Sequence, residues 1–298
     1  MRILVPVDNS SHSRHVVNFL SHRETLLGDN PEIELVNVQY SVPEKVIELF
    51  NMTSVKTYYM EEGRKVFEAL REDVDLDKLH AVEKVLYGET GRTIAAEANE
   101  TEADLIVMGQ RGLNPMKSLF LGSVSNSVLA NTKVPMLLLR DKTPPLTDKL
   151  RVGICVDGSE YGEAAANFVL EHLSLFGREA TFEVIHAAEP LPDPIAPNPM
   201  RPMPPVVTRE ELDARQRKAF EEAVAPVVEC FKKAGVKIGT KLLYGEAGEV
   251  IPEYANEALD LVVMGSHGYG NFTAAVMGST AMHLAARSEK PILVIRKP

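Results

Sequence analysis

Four residues recur at one spacing in the two halves of this chain. Gly109, Gly112, Gly122 and Ser123 are matched 156 positions later (265 − 109 and 278 − 122) by Gly265, Gly268, Gly278 and Ser279. In both stretches, Val107 to Ser125 and Val263 to Ala281, an apolar strand-like run stops at a glycine and Gly-Ser later opens a helix-like segment. A glycine directly after a parallel strand lets backbone pass close to a ligand where a β-carbon would clash. The second glycine permits the turn away from the strand. At the Gly-Ser step the first N–H groups of a helix are free and its dipole favours an anion. Hydroxyls of Ser123, Ser279 and Ser125 add donors, and the set reads as a phosphate cradle that needs little net positive charge.

The other half of the chemistry is carboxylate. RILVPVDNSS near the amino terminus is repeated as RVGICVDGSE, placing Asp157 opposite Asp8 and Ser159 opposite Ser10. Each aspartate falls just beyond the carboxyl end of a first strand, and in a doubly wound sheet ligands sit outside strand ends where the strand order reverses. A carboxylate there accepts from an amino or hydroxyl group while phosphates settle at the glycines. A nucleotide has that polarity. Each element alone has an ordinary reading as a turn or helix cap, and it is the repetition in register that gives the set its weight.

Other constellations are weaker. His12 and His15 are three apart on an expected helix, but of the eight histidines no third partner is evident for a metal. No Gly-x-Ser-x-Gly elbow and no Walker loop with its lysine occurs. Ser10 and Ser159 are explained by helix capping. Cys155 and Cys230 are the only cysteines, without CxxC or zinc spacing, and are expected as buried thiols in a reducing compartment. The eleven methionines fall mostly on apolar faces and read as core.

The elements that must position these residues alternate strand and helix. Ile3 to Val7 is short, apolar and β-branched, with Pro6 near its end because proline cannot donate to a ladder. Ser10 or Ser11 can cap the next helix, whose apolar face is Val16, Val17, Phe19 and Leu20. Ile33 to Val38 is a second strand, Val66 to Leu70 lies in a helix, and Ala81 to Leu86 is a third strand. Gly88 turns the chain into a helix around Thr93 to Asn99, Leu105 to Met108 is the fourth strand, Ser123 to Asn131 is helical and Pro135 to Leu139 is the fifth strand. The pattern restarts in the second half: FEVIHA repeats IELVNV, YGEAGEVI repeats YGETGRTI, and PILVIR repeats PMLLLR. This predicts an α/β fold of two repeated five-stranded parallel-sheet domains with helices on both faces, residues 1–141 and 150–298, joined by a polar linker at 142–149.

Because the aspartates differ by 149 positions (157 − 8) and the glycine motifs by 156, the second half has gained a net seven residues between them. The proline-dense run Glu189 to Val206 is the expected site, as an extended surface connection or a partner-binding segment.

At 298 residues, 45% hydrophobic and 25% charged, the chain has material for two ordinary globular cores. A formal net charge of −10 argues against a nucleic-acid surface, which needs clustered Lys and Arg. No run approaches a membrane span, and MRILVPVD enters a strand at once rather than a signal segment, so the cytoplasm is the expected compartment.

The motif Gly, two residues, Gly, nine residues, Gly-Ser, present in both halves without a gap, resembles that of the universal stress protein family, in its tandem two-domain, ATP-binding branch. The likeness spans nearly the whole chain outside the linker and proline-rich run. It implies a Rossmann-like fold akin to the adenine nucleotide alpha hydrolases, with the last strands of the halves pairing antiparallel as an intramolecular pseudo-dimer. It further implies ATP, or ADP or AMP, held without obvious catalysis, with Mg²⁺ accompanying the nucleotide. By that resemblance Asp8 faces adenine, Val38 meets the base through its backbone, and Met108, Gly109, Arg111, Gly112, Gly122, Ser123, Val124 and Ser125 line ribose and phosphates. The same carry-over in the second half names Asp157, Ala187, Met264, Gly265, His267, Gly268, Gly278, Ser279, Thr280 and Ala281.

The halves are not chemically equal. Arg111 and Lys117 lie in or beside the first loop, whereas between Gly265 and Ser279 there is no Lys or Arg, only His267, and Ala281 replaces Ser125. The first half is therefore expected to hold a triphosphate more tightly. Three functions stay open: a nucleotide-binding stress-response or signalling protein whose occupancy sets a conformation or partner surface; a nucleotide-independent adaptor; and a slow ATP-hydrolysing enzyme, for which no general base and nucleophile are paired. An unidentified protein partner belongs to the first two, and association beyond the internal pairing, such as a homodimer, is left open.

Overall fold

The computed structural model describes residues 1–23, 26–28, 30–40, 52–110, 121–140, 149–188, 208–267 and 277–296. Arg111, Gly112, Lys117, Gly268, the run Glu189 to Val206 and all of the expected linker but Lys149 lie outside the described residues.

In the first half β1 (Arg2–Pro6), β2 (Glu32–Tyr40), β3 (Val82–Gly88), β4 (Leu105–Gly109) and β5 (Met136–Leu139) alternate with α1 (Ser11–Ser21), α2 (Met52–Asp73), α3 (Thr90–Glu100) and α4 (Ser123–Asn131), with a 3₁₀ turn at Leu76–Leu79. In the second, β6 (Arg151–Cys155), β7 (Thr181–Ala188), β8 (Ile238–Tyr244), β9 (Leu261–Gly265) and β10 (Ile292–Ile295) alternate with α5 (Glu160–Glu171), short α6 (Leu173–Phe176), α7 (Arg209–Lys233), α8 (Ala247–Ala258) and α9 (Ser279–Arg287).

All ten strands form one sheet, in the order β3-β2-β1-β4-β5-β10-β9-β6-β7-β8. Within each half neighbours are parallel, and the chain moves outward through β2 and β3 and then returns to add β4 on the other side of β1. The sheets join through an antiparallel β5–β10 pair, with Leu138 opposite Ile292, Leu137 opposite Leu293 and Met136 opposite Val294. The joining strands read MLLL and ILVI and are buried at every position. Such strands have no solvent face and must be covered on both sides.

Strand alternation sorts the core into two layers. Ile3, Val5 and Val7 point into a layer that contains α1, α2, α5 and α7, whereas Leu4, Val36 and Ile106 point into one that contains α3, α4, α8 and α9. Both layers run across the two halves.

One expectation is extended and two need correction. The helix around Val66 to Leu70 is the end of a much longer one that starts at Met52. Cys155 is buried in the sheet, but Cys230, on the amphipathic α7, is only half-buried. Ser159 stands at the N-cap of α5 without a side-chain bond to its amides, and its hydroxyl donates to the Asp157 carboxylate at 2.5 Å.

Candidate functional site

Each half has its reversal of strand order between the first and fourth strands, and a cavity opens there beyond the strand ends. The first has a volume of about 230 Å³ and the second about 250 Å³. Asp8, Val38, Met108, Gly109, Gly122, Ser123, Val124 and Ser125 line the first. Asp157, Ala187, Met264, Gly265, His267, Gly278, Ser279, Thr280 and Ala281 line the second. Every expected site residue within the described chain thus faces one of two equivalent cavities.

The carboxylate end of the first cavity is a closed hydrogen-bond ring. Asp8 Oδ1 accepts from the Ser10 amide at 3.0 Å, the Ser10 hydroxyl at 2.5 Å and the Ser13 hydroxyl at 2.6 Å, and Ser13 Oγ in turn accepts from the Asp8 amide at 2.8 Å. Ser10 also caps α1 by accepting from the Ser13 amide at 3.3 Å. Burial acts to raise the Asp8 pKa, but these donors and the nearby His12 outweigh it and hold the carboxyl below its ordinary value. Asp8 is therefore a fixed anion and acceptor at neutral pH. In the second cavity Asp157 Oδ1 accepts from the amide and hydroxyl of Ser159, at 3.0 and 2.5 Å, but Gly162 stands where Ser13 does and supplies no hydroxyl.

The opposite end is a helix start. Gly122 caps α4 in an extended conformation (φ −53°, ψ 152°) and Gly278 caps α9 likewise (φ −66°, ψ 158°), neither with a side-chain cap. Their carbonyls accept the first intrahelical bonds, from Asn126 and Met282, both at 3.0 Å. The amides of the first turn precede any intrahelical acceptor, so they and the dipole point at the cavity. A β-carbon on Gly122 would meet nothing within 4 Å, so neither packing nor backbone angle demands glycine there. The space it leaves is cavity, and a ligand can approach the backbone through it.

Packing within the protein gives a further reason for glycine at Gly109 and Gly265. A β-carbon on Gly109 would lie 2.9 Å from both Cβ and the carbonyl oxygen of His12, and one on Gly265 would lie 2.6 Å from Tyr161 Cβ and 2.7 Å from its carbonyl oxygen. Within the protein the close approach is of strand to helix, β4 to α1 and β9 to α5, and both glycines also line the cavities. The effect on the site is indirect: each helix is drawn in against the strand that ends at the cavity.

Some walls escaped the sequence reading. Ser13, His12, Thr90 and Gln110 face the first cavity, and Cys155, His186, Ala247 and Ile251 face the second. Thr90 and Ala247 follow the repeated Tyr-Gly-Glu and were findable from it. His186, within a repeated strand where the first half has Asn37, was findable from the mismatch. Burial pushes the Cys155 thiol up to about 12, so this wall is a neutral S–H. Among the described residues no group of three His, Cys, Asp or Glu could hold a metal, and no helix is long and apolar enough to cross a membrane.

A family model described as the universal stress protein family matches residues 1–140 and again 150–296. The chain is 28% identical over 301 residues to a universal stress protein of Mycolicibacterium smegmatis, covering 99% of this chain and 96% of that one. It is 31% identical over 138 residues to a universal stress protein of Thermus aquaticus, which takes in 46% of this chain and 97% of the relative. A solved universal stress protein of Archaeoglobus fulgidus superposes with a TM-score of 0.67 at 22% identity, over 100% of this chain and 98% of that one.

Proposed function

The chain belongs to the universal stress protein family, and from that premise we propose that it binds an adenine nucleotide, ATP foremost, in its two cavities. Occupancy then fixes a conformation or surface that a protein partner reads. One observation carries the proposal: each cavity has a carboxylate at one end and an uncapped helix start behind a glycine at the other. Phosphates fit the helix end, where free amides and the dipole oppose their charge. The base fits the aspartate end, where a carboxylate that stays ionised accepts from an amino group. Mg²⁺ would be carried by the phosphates.

The same chemistry favours binding over turnover. In the first cavity the Asp8 carboxylate, held below its ordinary pKa and tied to two serine hydroxyls, is a poor general base, and those hydroxyls are already donating. A ligand that binds only the folded state stabilises it by about 2.7 kcal/mol at a hundredfold excess over Kd. Denaturing the purified protein and weighing what it releases, together with thermal melts in millimolar ATP, is the test. An adenine nucleotide in the supernatant or a rise in Tm is expected. No released nucleotide and no shift in Tm would instead point to the nucleotide-independent adaptor, and rapid repeated release of ADP or AMP from added ATP to an enzyme.

A further inference from the structure

Two matched side-chain clusters lie beneath α3 and α8, toward the starts of the strands. In the first half Lys84 on β3 stands between two carboxylates: its Nζ is 2.5 Å from Glu97 Oε1 on α3 and 3.7 Å from Glu34 Oε1 on β2. The strand register agrees, because Val36 is opposite Lys84 and Glu34 is two residues back on the same face, the one that α3 covers. Glu97 is 5% exposed and the Glu34 side chain 15%. In the second half Glu183 and Lys241 hold the places of Glu34 and Lys84, but Tyr254 holds that of Glu97. Its hydroxyl donates to Glu183 Oε2 at 2.5 Å, and Lys241 Nζ lies 4.8 Å from its ring centroid.

The clusters differ in charge. The second has one carboxylate, one ammonium and a phenol, and it balances: burial and the bond to Glu183 push the Tyr254 hydroxyl up to about 12, so it stays a neutral donor. The first has two carboxylates to one ammonium. Burial and the neighbouring Glu97 carboxylate push Glu34 above its ordinary value, against the opposing pull of Lys84 and Arg2. The charged groups that face Glu34 are thus Glu97 from α3, Lys84 from β3 and Arg2 from β1, and Glu100 acts on Lys84 from the end of α3. Lys84, bonded to Glu97, is held above its ordinary value and stays an ammonium. A proton on Glu34 therefore balances the cluster and leaves the bond from Lys84 to Glu97 in place.

We propose that Glu34, Lys84 and Glu97 form a proton-operated fastening of α3, which the first half has and the second lacks. With Glu34 ionised, two like charges beneath α3 share one ammonium and oppose the seating of the helix on the sheet. With Glu34 protonated, Lys84 serves Glu97 alone and the repulsion is gone. A carboxyl whose folded value lies above its ordinary one stabilises the seated helix at lower pH, and the gain is lost as pH rises through the folded value. Helix α3 begins at the first cavity, where Thr90 and Ile94 are walls. Mild acid thus firms a wall of that cavity, whatever the cavity holds, and α8 has no matching response.

Hydrogen exchange of the full chain, read by mass spectrometry and corrected for the intrinsic effect of pH, provides the test, with α8 as internal control. The protection of α3 relative to α8 is expected to be at least roughly twofold higher at pH about 5 than at pH about 7.5. Glu34→Gln, which mimics the protonated carboxyl, is expected to give the higher ratio at both values of pH. Glu97→Tyr, which installs the residue of the second half, is expected to remove the dependence likewise. Lys84→Met leaves two carboxylates without their cation and is expected to lower the protection of α3 at the higher pH and widen the difference; should that variant unfold, the other two decide. A wild-type ratio that changes by less than about twofold, or a dependence that survives in Glu34→Gln, overturns the proposal.

Discussion

Gln110 Nε2 donates across the junction of the two halves to the carbonyl of Ala285, 2.9 Å away and 175 residues further along the chain. Ala285 is in the last turn of α9, where carbonyls have no partner within the helix. The reverse contact exists too. Arg296, just past β10, reaches the carbonyls of Leu129, in the last turn of α4, and of Thr132 at 3.3 Å. Each half therefore caps the helix whose start lines the other half's cavity, and Arg296 adds a cation at the favourable end of the dipole.

Gln110 is buried, and its Oε1 accepts from Arg140 Nε at 3.2 Å. Gln110→Ala removes a donor from a buried carbonyl and an acceptor from a buried guanidinium, which costs about 1–3 kcal/mol for each group left unsatisfied. Urea denaturation is expected to show a loss of at least about 1 kcal/mol, against a change within about 0.5 kcal/mol for an exposed control such as Lys218→Ala. Equal losses in the two variants would mean that the contact does not hold the halves together.

Asp260 gives the fold a defined acid sensitivity. It is 4% exposed and accepts from the Arg151 amide at 2.9 Å and from its guanidinium at 3.0 and 2.9 Å. Burial pulls its pKa upward, but the bonds and charge of Arg151 prevail and leave it below the ordinary 3.8. A folded-state pKa below the unfolded one means that the native state binds fewer protons. The contribution is complete above pH about 4 and is lost as pH falls through the folded value. The Arg151 side chain is half exposed, so solvent screening holds the effect to about 1 kcal/mol. Asp260→Asn is expected to lower stability by that amount at pH 7 and to converge on wild type as pH falls from the ordinary carboxylate value through the lower folded-state one. A constant gap at every pH would place the effect in packing instead.

Much of this architecture was legible because it is written twice. The alternation of apolar runs gave the strands, and the repeat gave their equivalence, so Asp8 and Asp157 could be set against Gly122 and Gly278 without coordinates. What remained hidden depends on contacts distant in sequence. Gly109 reads as a ligand-facing glycine from its place after a strand, yet its missing β-carbon makes room for the His12 backbone, a helix approach that no local pattern encodes. The bond from Gln110 to Ala285 likewise follows from how β5 meets β10. Ser159 shows a third limit: the residue type and the N-cap place were right, yet the side chain makes no bond to the helix amides and only its bond to Asp157 is seen.

The two phosphate ends are unequal, and ATP binding is expected to show it. Ser125 brings a buried hydroxyl to the first turn of α4, and the sequence before it includes Arg111 and Lys117; at the matching places the second half has Ala281 and no Lys or Arg between Gly265 and Ser279. Anions are held best where charge-assisted bonds reach them, each contributing about 1.5–3 kcal/mol. A valine at Gly122 projects into open cavity rather than into protein, so Gly122→Val is expected to fold normally and to block the site. In calorimetry with ATP it is expected to remove the tighter phase and weaken apparent binding by at least roughly tenfold. Gly278→Val is expected to leave the tighter phase within about threefold of wild type, because it closes only the weaker site. If Gly278→Val instead causes the larger loss, the second half is the stronger triphosphate site, and the helix amides and His267 outweigh Arg111 and Lys117 of the first half.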